Sequence, residues 1–124
     1  MGYQTWRQRL INAVDIFGRG NVNTGFVGGV ETARPHGYAT EAEGLAVTLE
    51  GVEELASHGV GAVFTVWNPV KGSVFQKQTA PSLDYFVRLT KGIDDISRRY
   101  GLYGDMDDYR RCGNHPNTDL GRLW

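Results

Sequence analysis

The spacing of apolar residues changes along this chain, and the changes predict alternating helices and strands. Over residues 3–17 apolar side chains recur every three or four positions, which is typical of an amphipathic helix. The apolar positions of this helix are Tyr3, Trp6, Leu10, Val14 and Phe17. Arg7 and Arg9 lie on its other side and are predicted to face water. Residues 21–30 then form a short apolar run that contains glycine, which predicts a buried strand.

A second helix is predicted to begin at Thr40. Thr40 and Glu43 have the spacing of a capping box, in which the hydroxyl and the carboxylate each accept a hydrogen bond from a free backbone N–H. The apolar stripe of this helix consists of Leu45, Leu49, Val52 and either Leu55 or Ala56. Gly59 suits the left-handed conformation that ends a helix. Residues 60–67 are again apolar, which predicts a strand buried on both faces that ends before Pro69.

A third helix is predicted over residues 82–100, after a connector in which Gly72 supplies the turn. Its inward positions are Leu83, Phe86, Leu89 or Thr90, Ile93 and Ile96. Gly101 ends it. Residues 101–124 show no sustained period, so we expect an irregular tail with at most a short turn of helix near Met106–Arg111.

The predicted order is helix, strand, helix, strand, helix, which indicates an α/β fold with parallel crossovers. A chain of 124 residues has the length of one domain, so residues 1–124 are treated as a single unit. A parallel sheet of two strands is rarely stable by itself. The chain therefore has the pattern of an arc from a larger α/β architecture.

Charge and composition narrow the classes of partner. Lys plus Arg total 13 and Asp plus Glu total 14, a net charge of -1 that offers no general attraction for nucleic acid or an anionic membrane. The apolar runs are far shorter than the roughly 20 residues that span a bilayer, and the N-terminus lacks the apolar segment of a signal peptide. We expect a cytoplasmic protein with no nucleic-acid or membrane partner.

Cysteine usage argues against a metal centre in this chain. Cys112 is the single cysteine, so it forms no internal disulfide and cannot alone hold a group that needs three or four thiolates. His115 stands three positions after it and could join it as a zinc ligand. Since there is no second pair of ligands at such spacing, we expect a solvated tail and no metal site.

Two strand ends carry the candidate binding residues. Gly28 and Gly29 leave room for a flat ligand or another backbone, or they are a kink in a core strand. Glu31 follows at a strand end, where barrel active sites collect, although it could also cap the next loop or pair with Arg34. His36 lies in the same loop, as a proton donor near the strand end or a solvated side chain.

The second strand ends in Thr65, Trp67 and Asn68. Thr65 and Trp67 are predicted to share one side of the strand, with Asn68 on the other. The indole of Trp67 could stack on adenine or exclude water from a radical, or it could be a core aromatic. Asn68 precedes Pro69 and equally suits a turn.

The residues of both strand ends resemble a known family. The stretch GFVGGVET, residues 25–32, is similar to the glycine-x-x-glutamate end of the fifth barrel strand in radical S-adenosylmethionine (radical SAM) enzymes, with Gly28 and Glu31 at the matching positions. The stretch FTVWNPVKGSVF, residues 64–75, resembles the sixth strand and following loop of the biotin-synthase-like branch. The resemblance covers roughly residues 3–100.

The resemblance implies a partial (β/α) TIM-type barrel in which Gly28, Gly29, Glu31, Thr65, Trp67 and Asn68 contact S-adenosylmethionine. It also implies a [4Fe-4S] cluster in the complete enzyme and a small-molecule substrate. The cluster motif C-x3-C-x2-C is absent here, so this chain would be the C-terminal part of such an enzyme, and its partner would be the missing N-terminal barrel half. The alternative is a small α/β ligand-binding or structural module, although the phosphate loop G-x-x-x-x-G-K-[ST] is also absent.

Overall fold

A computed structural model describes residues 1–102 and Pro116 of the chain. The described part is an α/β structure, and the predicted order of elements is confirmed. The helices are α1 (Tyr3–Phe17), α2 (Glu41–Ser57) and α3 (Leu83–Arg99), and the strands are β1 (Val22–Gly28) and β2 (Val60–Val66). The predicted helical turn at Met106–Arg111 and the pair Cys112 and His115 lie outside the described residues.

Local signals placed the helix boundaries correctly. Thr40 precedes α2 and forms the predicted capping box, with its hydroxyl accepting from the Glu43 N–H and the Glu43 carboxylate accepting from the Thr40 N–H, both at 3.2 Å. Gly59 follows α2 with a φ of 89°, and Gly101 follows α3 with a φ of 69°. Ser82 caps α3 by accepting a hydrogen bond from the Tyr85 N–H.

The two strands pair in parallel, with Val22 opposite Val60 and Gly28 opposite Val66. The strand β1 ends earlier than predicted, because Gly29 turns the backbone into the left-handed region and Val30–Thr32 form a 3₁₀ turn. Its burial also differs from the prediction. Buried and exposed positions alternate along β1, and Val27 is 45% exposed, so one face of this strand is left open. Of the two described strands, only β2 is buried continuously, from Val60 to Phe64.

The core lies between the sheet and the pair α2 and α3. Its buried members are Val52, Ala56, Ala62, Phe64, Tyr85, Leu89, Ile93, Ile96 and Leu102. The prediction for α3 was wrong at its first position, because Leu83 is 79% exposed whereas Tyr85 is 1% exposed. The apolar side of α3 therefore contains Tyr85, Leu89 and Ile93, which are spaced by four residues. Leu83 lies outside this stripe.

Gly28 lies close to side chains of both α3 and β2. A Cβ atom at Gly28 would lie 2.8 Å from both Leu89 Cδ2 and Phe64 Cδ2. Both of these side chains are fully buried, so they have little room to move aside. The glycine is therefore required by packing against the helical layer.

The helix α1 packs against the start of the sheet and against α2. Trp6, Leu10 and Val14 contact a small cluster of Val22, Leu55 and Val60. Arg7 was predicted to face water, which is wrong: its Nε lies 2.9 and 3.0 Å from the two carboxylate oxygens of Glu54 on α2. The Arg7 hydrogen bonds hold the pKa of the Glu54 carboxyl below its usual value of 4.5, against a smaller opposing effect of burial.

Within the described residues, no helix has both the length and the apolar composition needed to cross a bilayer.

Replacing Gly28 by alanine is expected to lower the free energy of unfolding by about 1–3 kcal/mol, since the added methyl overpacks the contact with Leu89 and Phe64. Urea unfolding followed by circular dichroism measures the change. Gly51→Ala in α2 is the control: apart from neighbouring residues and the backbone of its own helix, no described atom lies within 4 Å of its added Cβ, so it should raise the free energy of unfolding by about 0.5–1 kcal/mol. A Gly28→Ala variant as stable as the parent would contradict the packing role.

Arg7→Gln should destabilise the protein at pH 7, and the difference from the parent should shrink as the pH falls. The folded pKa of Glu54 is depressed, so its contribution to stability is present above the unfolded value near 4.5 and is lost as the pH falls through the folded pKa. Thermal unfolding of variant and parent between pH 3 and pH 7 measures this stability difference. Arg9→Gln is the control, because Arg9 contacts only Met1 Sδ among the described hydrogen bonds. A pH-independent difference would show that the ion pair is not its cause.

Candidate functional site

The two strand ends that carry the predicted site residues lie at the same edge of the sheet. Because β1 and β2 run parallel and end opposite each other, their carboxyl ends lie side by side. The Trp67 N–H donates to the Gly28 carbonyl at 2.9 Å, which extends the pairing one residue beyond β2. The backbone of Gly28 therefore lies beside the end of β2, whereas the Glu31 carboxylate faces α2 and α3 and Thr65 lies on the opposite face of the sheet.

Glu31 is held by donors from three parts of the chain. Its Oε2 accepts from the Gly29 N–H at 2.7 Å, and its Oε1 accepts from the Thr48 hydroxyl of α2 at 3.1 Å and from the Tyr85 hydroxyl of α3. Neither structural alternative for Glu31 is observed, because its carboxylate contacts neither the following loop nor Arg34 among the described hydrogen bonds and ion pairs. Arg34 instead donates from Nη2 to the Ala39 carbonyl at 2.9 Å. The carboxylate thus ties the end of β1 to both helices.

Sequence reasoning missed Tyr85 and Thr48 as members of this site. Tyr85 stands 54 residues after Glu31, and no local pattern links the two. One signal was available: Tyr85 lies on the buried stripe of α3, and a buried tyrosine needs a partner for its hydroxyl. Thr48 lies 17 residues from Glu31 on a half-buried side of α2, where a hydroxyl gives no such signal.

The glycine pair is packed on its helical side. Gly29 has a φ of 104°, and a Cβ there would lie 3.1 Å from Phe86 and 3.2 Å from Pro81. Together with the contacts of Gly28, this leaves no room for side chains between the end of β1 and α3. A ligand at this position therefore meets the glycine backbone from the side away from α3.

The end of β2 offers two polar side chains and one buried ring. Thr65 lies opposite Val27, on the face of the sheet away from Phe64 and the helical core. Asn68 is exposed. Trp67 is 6% exposed and meets Phe75 edge to face, with ring centroids 5.6 Å apart, so it occupies the position of a core aromatic. Its ring becomes accessible to a ligand only if the residues that cover it move.

A groove of about 530 Å³ opens beside Glu31, between the loop after β1 and the loop after β2. His36 is part of its lining, together with residues of both loops. Two hydrogen bonds join the loops: the Arg34 N–H donates to Gln78 Oε1 at 2.7 Å, and Gln78 Nε2 donates to the Arg34 carbonyl at 2.8 Å. The volume of the groove is in the range of small-molecule sites.

The residues present do not fit an iron–sulfur cluster. A [4Fe-4S] cluster is held by cysteine thiolates, and the sequence has one cysteine. In the described part of the chain, no three His, Cys, Asp or Glu side chains come together at metal-binding distance. This chain by itself therefore does not supply the ligands of such a cluster.

Tyr85→Phe is expected to lower the free energy of unfolding by about 1.5–3 kcal/mol, because it removes a hydrogen bond to a carboxylate and leaves the ring in place. Chemical denaturation measures the loss. Tyr38→Phe is the matched control, since Tyr38 is exposed and its hydroxyl makes no hydrogen bond with the other described residues; it should stay within about 0.5 kcal/mol of the parent. Equal stabilities for the two variants would exclude the anchoring role of Tyr85.

Comparison with known proteins gives one informative similarity. No protein-family model matches the chain, and no solved structure matches it. The chain is similar to the bacteriochlorophyllide c C-7(1)-hydroxylase of Chlorobaculum limnaeum, with 29% identity over 119 residues. The aligned region covers 94% of this chain and 26% of that protein, so the chain spans about a quarter of the length of the curated relative it matches.

Proposed function

We propose that this chain is part of a radical SAM enzyme, in which it supplies contacts to S-adenosylmethionine and to the substrate while the [4Fe-4S] cluster is bound elsewhere. The observation that carries the proposal is the similarity to the hydroxylase over 94% of the chain. The aligned region includes both strand ends. At these ends, the glycine-x-x-glutamate turn and the segment from Phe64 to Phe75 resemble radical SAM enzymes.

The geometry of the strand ends supports a binding role. The backbone of Gly28 and Gly29 forms one wall, packed from behind by α3, and Thr65 and Asn68 supply a hydroxyl and an amide from the neighbouring strand end. In this proposal Glu31 acts mainly through its three internal hydrogen bonds, which hold the glycine turn in place for the nucleoside part of S-adenosylmethionine. Trp67 closes the apolar side and excludes water.

The remainder of the enzyme is the proposed partner. The proposal includes the biotin-synthase-like branch and the partial TIM barrel. In this arrangement β1 and β2 correspond to two neighbouring barrel strands, and the half of the enzyme that contains C-x3-C-x2-C adds strands to their free edges. The open face of β1 at Val27 supports this arrangement, because inward faces of barrel strands are covered only when the barrel closes. S-adenosylmethionine would supply the radical precursor in the complete enzyme.

Isothermal titration calorimetry tests the proposal, with S-adenosylmethionine and ATP as separate titrants. We expect saturable binding of S-adenosylmethionine and none of ATP. Thr65→Val should weaken that binding about fivefold, the effect of one lost hydrogen bond, while Thr5→Val on the exposed side of α1 should leave it unchanged.

Two results would contradict the proposal. The first is binding of ATP in preference to S-adenosylmethionine, or no binding of either compound. Either outcome would favour a binding or structural module. The second is a stoichiometric [4Fe-4S] absorbance after reconstitution of this chain with iron and sulfide, which would place the cluster in the chain itself.

A further inference from the structure

The loop after β2 contains a compact segment that hydrogen-bonds mainly to itself. We call this segment, residues 70–78, the lid, and it consists of consecutive turns. Its internal hydrogen bonds join Ser73 to Val70, Phe75 and Gln76, Gly72 to Gln76, and Gln78 to Phe75. Surface loops that are packed by their own side chains are frequently functional. These bonds allow the lid to keep its shape without help from the rest of the fold.

One side chain joins the lid to the other described residues by hydrogen bonds. The Gln78 amide accepts from the Arg34 N–H at 2.7 Å and donates to the Arg34 carbonyl at 2.8 Å. Both bonds are exposed, so water replaces them when they break, and each favours the closed position by a net factor of only about five. The Gln78 amide is therefore the latch of the lid.

The anchors on either side of the lid are fixed, whereas the short connections next to them are not. The Trp67 N–H donates to the Gly28 carbonyl at 2.9 Å before the lid, and the Ser82 N–H and hydroxyl donate to Glu41 after it. Asn68 and residues 79–80 lie between the anchors and the lid, in no helix or strand. Irregular positions of this kind absorb the backbone rotations of a hinge.

Apolar packing adds little to the closed position. Val70 is 55% exposed and Val74 is 91% exposed, so neither valine buries much surface. Phe75 is half-buried and meets Trp67 edge to face, with ring centroids 5.6 Å apart. A segment held by two exposed hydrogen bonds and one ring contact opens at a lower free energy than the helices and strands around it.

The same ring contact covers a residue of the candidate site. Trp67 is 6% exposed, and Phe75 of the lid is its aromatic neighbour. A ligand that stacks on an indole needs access to the ring. Phe75 therefore has to leave before a ligand reaches Trp67.

We propose that the lid controls access to Trp67. It opens as one unit about Asn68 and residues 79–80 when the Gln78 amide leaves the Arg34 backbone, and it carries Phe75 away from the indole. The closed position is thus an autoinhibited one, in which Phe75 blocks the ring. The inference rests on the proposed function for the identity of the ligand and adds the control of its access.

Chemical modification of Trp67 in the full chain measures the opening. The reagent dimethyl(2-hydroxy-5-nitrobenzyl)sulfonium modifies accessible tryptophans, and mass spectrometry of the peptides gives a separate rate for each one. When the lid opens and closes faster than the reagent reacts, the rate at Trp67 follows the fraction of open molecules. Gln78→Ala removes the latch and should raise this rate about fivefold, the size of one net hydrogen bond. The rate at Trp6, on α1, should stay unchanged.

Two further variants separate the latch from the cover. Phe75→Ala removes the ring but keeps the latch, and it should also raise the rate at Trp67 about fivefold or more. Gln76→Ala is the matched control, because Gln76 Oε1 accepts from the Gly72 N–H at 3.0 Å inside the lid and makes no contact with Arg34 among the described hydrogen bonds. Its rate at Trp67 should stay within about twofold of the parent. Thermal unfolding by circular dichroism checks that the variants are equally folded.

An unchanged rate at Trp67 in Gln78→Ala would overturn the latch, and an unchanged rate in Phe75→Ala would overturn the cover. An equal rise at Trp6, or an equal effect of Gln76→Ala, would attribute the change to general loosening and would also overturn the proposal. These rates do not depend on S-adenosylmethionine. A chain whose lid opens as described but that fails to bind S-adenosylmethionine would keep the lid and lose the radical SAM function, and the reverse result would do the opposite.

Discussion

The described part of this structure depends on one carboxylate. Glu31 follows directly after the turn that ends β1, and its oxygens accept from the backbone of that turn, from α2 through Thr48 and from α3 through Tyr85. The carboxylate is therefore the point at which the strand and both helices of the outer layer are fixed relative to one another. A charge held by three donors in a half-buried position is stable only while all of these elements stay in place.

The glycines before Glu31 make that arrangement possible. Gly28 lets Leu89 and Phe64 approach the strand end, and this close packing brings the first turns of α3 near enough for the Tyr85 hydroxyl to reach Glu31. Gly29 supplies the left-handed backbone that turns the chain, and its N–H then points to the same carboxylate. Packing and hydrogen bonding at this strand end thus require each other, and a glycine motif that resembles a ligand wall also has a structural function.

The sequence predicted those features whose causes are local. The capping box at Thr40, the left-handed Gly59 and the order of elements depend on residues a few positions apart, and they were correct. The predictions that failed concern contacts between distant segments. Arg7 was assigned to water because its partner Glu54 lies 47 residues away, and Leu83 was placed inside because spacing alone does not give the phase of a helix against its neighbours.

The candidate site shows the same division between local and distant causes. The sequence identified the strand ends, since glycines and a carboxylate after an apolar run are a local signal, but the groove forms only when two loops 44 residues apart are joined through Arg34 and Gln78. Its polar lining follows from the fold as well. The Glu31 carboxylate keeps its negative charge while it accepts from the Gly29 N–H and from the Thr48 and Tyr85 hydroxyls, and it lines the same groove as the Arg34 guanidinium, so the fold brings both signs of charge to this edge.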